Sequence, residues 1–312
     1  MTDHLTLALV GAKDVAKDLG KKGTTSDLTL FNAVHDDRAV TIVEPTQFPE
    51  RFPPLLYALA MADRAVFAIP ALNREVAETA ATLEMFNLPV DVRLGAAVGV
   101  DELRRAFKGS PLETAPTEPL DLVQLRRELD GWTAPAVEGP VRVPIDHAFP
   151  VKGVGAVALG VVRRGTLKAH ERLRLYPTER TVEVRSIQVH DVDVPEATSG
   201  QRVGVALKGV EADEIARGHA LAPEGSLSTS TELRGDGFRR SRYYRGVLDQ
   251  GAQLQLLVGL QLVPARLAES GPTTVRVVSD RPVAFTPGER MVLSDLSPPS
   301  GPRIVGGATI VA

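Results

Sequence analysis

Residues 142–221 read RVPIDHAFPVKGVGAVALGVVRRGTLKAHERLRLYPTERTVEVRSIQVHDVDVPEATSGQRVGVALKGVEADEIARGHAL, and this stretch decides the fold. Apolar and polar residues alternate in nearly every run, which is typical of strands buried on one face. Leucine, valine and isoleucine continue the alternation at positions 167, 173, 175, 182, 184 and 187. Short strands with turns about every eight to twelve residues predict a closed antiparallel β-barrel.

The chain before this stretch alternates short apolar runs with amphipathic segments. The apolar runs predict strands at Leu5–Val10, Ala39–Val43, Ala65–Ile69 and Val90–Leu94. The amphipathic segments predict helices at Phe52–Ala62, Asn73–Phe86, Asp101–Phe107 and Asp121–Leu129. Alternating strands and helices indicate a mostly parallel sheet covered by helices. Asp101 and Asp121 each stand where a helix N-cap is expected.

Proline-rich segments at 109–119 and 132–140 predict no regular structure, and the second is the expected interdomain linker. Alternating runs return after residue 230 and continue to the end of the sequence, which predicts a second β-barrel. We therefore expect a multidomain protein: an α/β domain over residues 1–136, then β-barrel domains over 137–224 and 225–312.

Composition limits the possible functions. The absence of cysteine excludes disulfides, thiolate catalysis and cysteine-ligated zinc. A net charge of −3 argues against a protein that coats nucleic acid by bulk charge. No apolar run approaches the roughly 20 residues of a membrane helix, and the N-terminus indicates a first strand rather than a signal peptide. We expect a cytoplasmic protein without a membrane partner.

Five segments, taken in their order along the chain, resemble the second domain of translational GTPases. They are PIDHAF, KGVG, RGTLK, VRSIQVH and GQRVGVALKGVE. The likeness is to elongation factor Tu and the selenocysteine-specific elongation factor. Residues 243–267 and 287–310 are similar to the third domain of the same factors. The resemblance implies a P-loop-GTPase-like first domain, followed by the two barrels.

The nucleotide motifs that this family implies are altered. A phosphate-binding loop should read G-x-x-x-x-G-K-[ST], but Gly11 opens GAKDVAKDLGKKGTTSD, in which no such triplet occurs at that spacing. The expected Asp-x-x-Gly is replaced by EPTQ at 44–47, and the expected Asn-Lys-x-Asp by VGVD at 98–101. We therefore predict a degenerate G domain, which is a pseudo-GTPase that is not an enzyme and needs no cofactor.

A divergent GTPase that binds GTP or GDP with Mg²⁺ remains the alternative. It would use the glycine-lysine segment GKKGTTSD, placed before a short helix, to bind an anion. The candidate nucleotide-binding residues are Gly11, Lys21, Thr24, Thr25 and Asp101. A solvated basic loop explains the segment as well, and a helix N-cap explains Asp101.

The resemblance also implies a pocket for the aminoacyl end of tRNA. The selenocysteine factor lines it with an Asp-Arg pair and a further arginine. Asp146 and Arg202 match this pattern, whereas His147 replaces the arginine of the pair. Histidine is a weaker cation near neutral pH, so selectivity for selenocysteine does not follow. The alternative is a surface ion pair between Asp146 and Arg202.

The most basic run, GFRRSRYYRG at 237–246, is the candidate RNA-binding segment. Its relevant residues are Arg239, Arg240, Arg242, Tyr243, Tyr244 and Arg245. A continuous strand would place Arg240 and Arg242 on one face. Arginines beside aromatic rings suit phosphate contacts and base stacking, although a salt-bridge surface is equally consistent.

No catalytic or metal-binding constellation is evident. The six histidines are scattered, and His190 is interpreted as a turn residue. We therefore predict an elongation factor Tu-like protein that binds tRNA, another RNA or the ribosome. The alternatives are a divergent GTPase and a regulatory scaffold that binds a protein partner.

Overall fold

The structure is a computed structural model that describes residues 3–35 and 38–311. Its residues form two compact units. The first comprises the chain up to Ala134 with Arg239–Val247 and Val292–Gly307; the second comprises Pro135–Phe238, Leu248–Met291 and the residues from Ala308 onward. Within the described ranges, no helix is long and apolar enough to cross a membrane.

The first unit contains a seven-stranded mixed sheet in the order β2-β3-β4-β1-β5-β6-β7. The strands are β1 (Asp3–Val10), β2 (Lys21–Thr25), β3 (Thr29–His35), β4 (Arg38–Glu44), β5 (Arg64–Ile69), β6 (Val90–Leu94) and β7 (Thr117–Pro119). Strands β4, β1, β5, β6 and β7 are parallel, whereas β2 and β3 are antiparallel to their neighbours. Both faces of the central strands are covered, which explains their continuous apolar runs.

Four helices accompany this sheet. They are α1 (Pro53–Met61), α2 (Arg74–Leu83), α3 (Val100–Ala106) and α4 (Leu122–Leu129), and single 3-10 turns cover Ala16–Asp18 and Pro111–Glu113. The predicted cap of α4 is confirmed, because Asp121 Oδ1 accepts hydrogen bonds from two backbone N–H groups at 2.8 and 3.1 Å. The predicted cap at Asp101 is wrong: Gly99 is the N-cap of α3, and Asp101 lies in its first turn.

The proline-rich segment at 109–119 is more ordered than predicted. Its last residues form β7, which pairs with β6 from Val92↔Thr117 to Leu94↔Pro119. Proline lacks an N–H group and is tolerated at such a sheet edge. Residues 132–140, the predicted linker, contain no helix or strand.

The first barrel belongs to the second unit. Its strands are β8 (Val143–Val151), β9 (Gly155–Val161), β10 (Thr166–Lys168), β11 (Arg172–Tyr176), β12 (Thr181–Val189), β13 (Val192–Val194), β14 (Glu196–Thr198), β15 (Arg202–Lys208) and β16 (Ala220–Ala222). The order is β11-β16-β8-β9-β15-β12-β13, and an additional β11–β12 pairing closes the ring. The apolar positions that predicted this barrel, from Leu167 to Ile187, are buried in its core. His190 lies in the turn between β12 and β13 with φ +50°, as predicted.

The second barrel closes in the order β17-β20-β19-β18-β21-β22. Its strands are β17 (Ser228–Arg240), β18 (Gln253–Val258), β19 (Gln261–Ser270), β20 (Thr274–Phe285), β21 (Arg290–Ser294) and β22 (Ile304–Val311). The predicted architecture, a parallel-containing sheet domain followed by two antiparallel barrels, is therefore confirmed.

Candidate functional sites

The turn after β1 begins at Gly11, which has φ +91°. A Cβ atom at this position would lie 2.4 Å from the carbonyl oxygen of Ala68, so only glycine fits. The chain then passes Asp14, also left-handed with φ +64°, and makes the single 3-10 turn Ala16–Asp18. Between Gly11 and Lys21, where every residue is described, no α-helix follows the turn.

Glu44 contacts this turn from the end of the neighbouring strand β4. The backbone N–H of Asp14 donates a hydrogen bond of 2.8 Å to Glu44 Oε1. Glu44 is 6% exposed, and among the described residues its buried Oε2 has no hydrogen-bond partner. Burial raises the pKa of the Glu44 carboxyl above its ordinary value, although hydrogen bonds from the Asp14 and Ala16 backbone oppose the shift.

Three candidate nucleotide residues, Lys21, Thr24 and Thr25, lie on the edge strand β2. Lys21 and Lys22 pair with Asn32 and Phe31 of β3, and a bulge follows before Thr25. The predicted glycine-lysine loop in front of a helix is therefore wrong, because GKKGTTSD forms a strand and a turn. These residues do not stand at a helix N-terminus, where backbone N–H groups would face an anion.

Gly11 and Asp101 both follow parallel strands at the carboxyl edge of the sheet, whereas β2 is its outermost strand. Asp101 is exposed in the first turn of α3. Guanine nucleotide with Mg²⁺ would need a loop amide cradle, a lysine and a Mg²⁺-binding hydroxyl. The residues here do not fit a guanine nucleotide with Mg²⁺, since the Asp14 amide already donates its hydrogen bond to Glu44. Across the described ranges, no cluster of three or more acidic or histidine side chains could hold a metal ion.

The three candidate aminoacyl-end residues are brought together on the first barrel. The register of the β8–β9 pair shifts between Ile145 and His147. Asp146 therefore lies at a β-bulge, a feature that redirects a side chain. Arg202 donates to the Asp146 carboxylate from both terminal guanidinium nitrogens, Nη1 and Nη2, at 2.7 and 2.9 Å. His147 Nδ1 lies 2.5 Å from Asp146 Oδ1, and Arg217 Nε donates to the Asp146 carbonyl oxygen at 3.0 Å.

The Asp146 side chain is only 1% exposed, whereas Arg202 and His147 are 12% and 16% exposed. Burial alone would raise the pKa of the Asp146 carboxyl, but the charge of Arg202 and the His147 hydrogen bond outweigh it and lower the pKa. The ion pair considered from the sequence is thus formed, and its acid is buried rather than on the surface. Arg202 and His147 are the members that a ligand could reach.

The basic segment is not one continuous strand. β17 ends at Arg240, so the predicted strand face shared by Arg240 and Arg242 is wrong. Arg240 Nη2 donates to the Gly246 carbonyl oxygen at 2.7 Å, and its guanidinium lies 5.6 Å from the Tyr244 ring centroid. The Tyr244 hydroxyl donates to Asp295 at 2.8 Å, and burial together with Asp295 raises the pKa of Tyr244 to about 12.

Arg242 is also engaged within the first unit. Its Nη1 donates to the Lys108 carbonyl oxygen at 2.8 Å, its Nη2 lies 3.4 Å from Glu84, and its guanidinium stacks on Tyr243 at 4.8 Å. Arg239 and Arg245 are exposed, and no hydrogen bond or ion pair to the rest of the described chain is found for either side chain. They are the arginines of this segment available to a partner.

A cleft of about 480 Å³ in the first unit was not predicted. It is lined in part by Arg303, which donates to both carboxylate oxygens of Glu78 at 2.6 and 2.9 Å. The same guanidinium lies 4.9 Å from the Phe52 ring centroid. Glu78 and Arg303 are 225 positions apart, and no sequence pattern pairs them.

Comparisons with known proteins agree with this geometry. Residues 155–222 match the family described as Elongation factor Tu domain 2. The chain is 35% identical to uncharacterized protein MJ0325 of Methanocaldococcus jannaschii, over 94% of this chain and 96% of that protein. It is 23% identical to the selenocysteine-specific elongation factor of the same organism over 88% of this chain, and it spans 63% of that factor's length.

The structure of translation elongation factor SelB from Methanococcus maripaludis, in complex with the GTP analogue GppNHp, has the same fold. It superposes with a TM-score of 0.83 at 22% identity, covering 99% of this chain and 79% of that one. The order of a mixed sheet and two closed barrels is thus shared along the whole chain. The chain belongs to the translational GTPase family, with elongation factor Tu and the selenocysteine-specific elongation factor.

Proposed function

We propose that this chain is a translation-associated pseudo-GTPase, an elongation-factor-like protein that binds tRNA, another RNA or the ribosome without a GTP switch. Membership of the translational GTPase family supports the link to translation. The single observation that carries the loss of the switch is the segment after β1, where one 3-10 turn and an edge strand replace a phosphate-binding loop and helix.

The physical argument concerns what phosphoryl transfer needs. Positioning of the phosphates and Mg²⁺ supplies most of that catalysis, so both must be held rigidly. A loop at a helix N-terminus provides aligned backbone N–H groups and a favourable dipole. Here Lys21, Thr24 and Thr25 point from a strand at the sheet edge instead. These residues cannot close around a phosphate without refolding β2.

Isothermal titration calorimetry of the full chain with GTP and with GDP, each with Mg²⁺, tests this half of the proposal. We expect no heat of binding. The competing divergent-GTPase hypothesis expects micromolar binding that Asp101→Ala weakens, because Asp101 would read the guanine ring. That result would reject the pseudo-GTPase assignment.

The RNA half rests on the family and on the two available arginines, Arg239 and Arg245. Arginine binds phosphate in a planar, bidentate manner, and its charge does not titrate in the physiological range. Arg240 and Arg242 are less suitable probes, because each holds a backbone carbonyl group of the fold. Substituting them would change the local structure together with the charge.

Electrophoretic mobility shifts with tRNA, and co-sedimentation with ribosomes, test the RNA half. We expect Arg239→Glu with Arg245→Glu to weaken binding and to reduce the slope of log K against log salt by about 2. The matched control is Arg266→Glu with Lys152→Glu, an equal charge change at two exposed positions. If the wild type binds neither tRNA nor ribosomes, the protein-binding scaffold becomes the better hypothesis.

A further inference from the structure

The end of strand β4 brings a carboxyl group into the turn where this family's fold would hold phosphate. β4 lies beside β1 in parallel register, with Ala8 opposite Val43. Glu44 is therefore the residue whose side chain extends past the end of β4 toward the turn opened by Gly11. The hydrogen bond from Asp14 N–H to Glu44 Oε1 spans 30 positions of sequence.

We propose that Glu44 is the resident anion of this turn, and that its side chain excludes phosphate from the loop amides. This inference rests on the proposed loss of the GTP switch. Glu44 thus has an autoinhibitory role, because its carboxylate and a phosphate from solution compete for the same backbone N–H donors.

The contacts favour an anion over other occupants. Backbone N–H groups present the positive end of their dipole to the carboxyl group, and this arrangement repels a cation. Glu44 is 6% exposed, so a carboxylate there needs these donors to offset its lost hydration. Lys13, the basic residue next to the turn, lies 3.5 Å from Glu50, and its charge also favours the ionised form of Glu44. The acidic partner of the Asp14 amide is Glu44.

Burial strengthens the exclusion. Glu44 Oε2 has no hydrogen-bond partner within the part of the chain that the structure describes. A phosphate that reached the Asp14 amide would lie beside this carboxylate, whose second oxygen has no donor to offset its charge. Repulsion between like charges a few ångströms apart grows strongly as the surroundings become less polar. Truncating Glu44 removes the repulsion and releases the Asp14 amide at the same time.

The test uses the full chain and inorganic phosphate as the probe. Thermal unfolding is followed for the wild type, Glu44→Ala and Glu50→Ala at increasing phosphate, with chloride at matched ionic strength. We expect a saturable rise in Tm for Glu44→Ala only, because a ligand of the folded state stabilises it by mass action. Glu50→Ala is the control, since Glu50 is an exposed acid beside the same turn.

Two results would overturn the inference: phosphate stabilises the wild type as much as Glu44→Ala, or Glu44→Ala folds and shows no phosphate response. If Glu44→Ala does not fold, the wild type itself gives the answer by NMR. The Asp14 amide resonance should shift as Glu44 is titrated with acid, and an unchanged resonance contradicts the contact. GTP binding by the wild type would instead count against the proposed function, so the two failures are distinguishable.

Discussion

At the scale of single residues, two buried carboxyl groups are stabilised in opposite ways. Asp146 has a guanidinium on one side and an imidazole on the other, and its pKa is lowered. Glu44 is held by backbone amides without a buried cation, and its pKa is raised. The difference follows from charge: an opposite charge favours ionisation, whereas burial alone opposes it.

The stability contributed by Glu44 should therefore fall as pH rises. Its pKa is raised above the ordinary value of 4.5, so the contribution is fully present below pH 4.5 and is lost as pH rises through the folded-state pKa. Glu44→Gln keeps an acceptor for the Asp14 amide but cannot ionise. We expect it to be at least as stable as the wild type at pH 7, by urea unfolding, with this pH dependence removed. An identical pH profile in Glu44→Gln and the wild type would contradict the assignment.

Asp146 should show the reverse dependence. Its pKa is lowered, so its contribution is present above the ordinary value of 3.8 and is lost as pH falls through the folded-state pKa. Arg202→Met leaves the buried carboxylate without its bidentate partner, and we expect a loss of about 3–5 kcal/mol at pH 7 by urea unfolding. Asp146→Asn combined with Arg202→Met should lose less, because no buried charge remains. If the double variant had a lower free energy of unfolding than Arg202→Met alone, this account would be contradicted.

At the scale of elements, helices α3 and α4 each have an aspartate near the start, and only one of them is a cap. Asp121 accepts from two backbone N–H groups of α4, whereas Asp101 lies inside the first turn of α3 behind Gly99. A capping side chain replaces water at otherwise unpaired amides. A carboxylate within the first turn only interacts with the helix dipole.

We expect Asp121→Ala to lower the free energy of unfolding by about 1 kcal/mol. Asp101→Ala should lower it by less, about 0.3 kcal/mol, because an exposed side chain loses only its interaction with the helix dipole. Urea unfolding at neutral pH measures both. Equal losses would contradict the capping role of Asp121.

At the scale of the whole molecule, the first unit is assembled from three separate stretches of chain. Arg303 from the last stretch binds Glu78, and Arg242 from the middle stretch lies near Glu84. Both acids are more than nine-tenths buried, so each arginine neutralises a charge that water cannot reach. The two pairs differ in geometry and exposure.

Arg303→Met should be the more damaging change. Arg303 is 19% exposed and makes a bidentate pair with Glu78, so we expect a loss of about 3 kcal/mol in urea unfolding. Arg242 is 39% exposed and lies 3.4 Å from Glu84, so Arg242→Met should lose about 1 kcal/mol or less. A larger loss for Arg242→Met than for Arg303→Met would mean that the Arg242–Glu84 pair contributes more to stability than the Arg303–Glu78 pair.

The sequence predicted those parts of the fold that depend on local periodicity. β1 and β5 are mostly apolar runs, β6 alternates in VDVRL, and the barrel core from Leu167 to Ile187 alternates except at the bulge after Val184. β2 was not predicted because KKGTT has no apolar face, and β3 was not predicted because Asn32 interrupts its buried residues Leu30, Phe31 and Ala33. At the candidate sites, Asp146 and Arg202 were paired only through the family resemblance. Contacts between distant positions, such as Glu44 with Asp14, leave no periodic signal, and Glu44 was noted only as a departure from a motif.

The lysines of β2 have a further consequence for how the chain behaves in solution. β2 is the outermost strand of the sheet, so one side of its backbone is open to another strand. Lys21 and Lys22 are exposed on this open edge, and lysine is one of the residues by which natural proteins discourage edge-to-edge pairing. Lys21, first considered as a ligand for a nucleotide, is therefore expected, with Lys22, to discourage pairing of this edge with another strand.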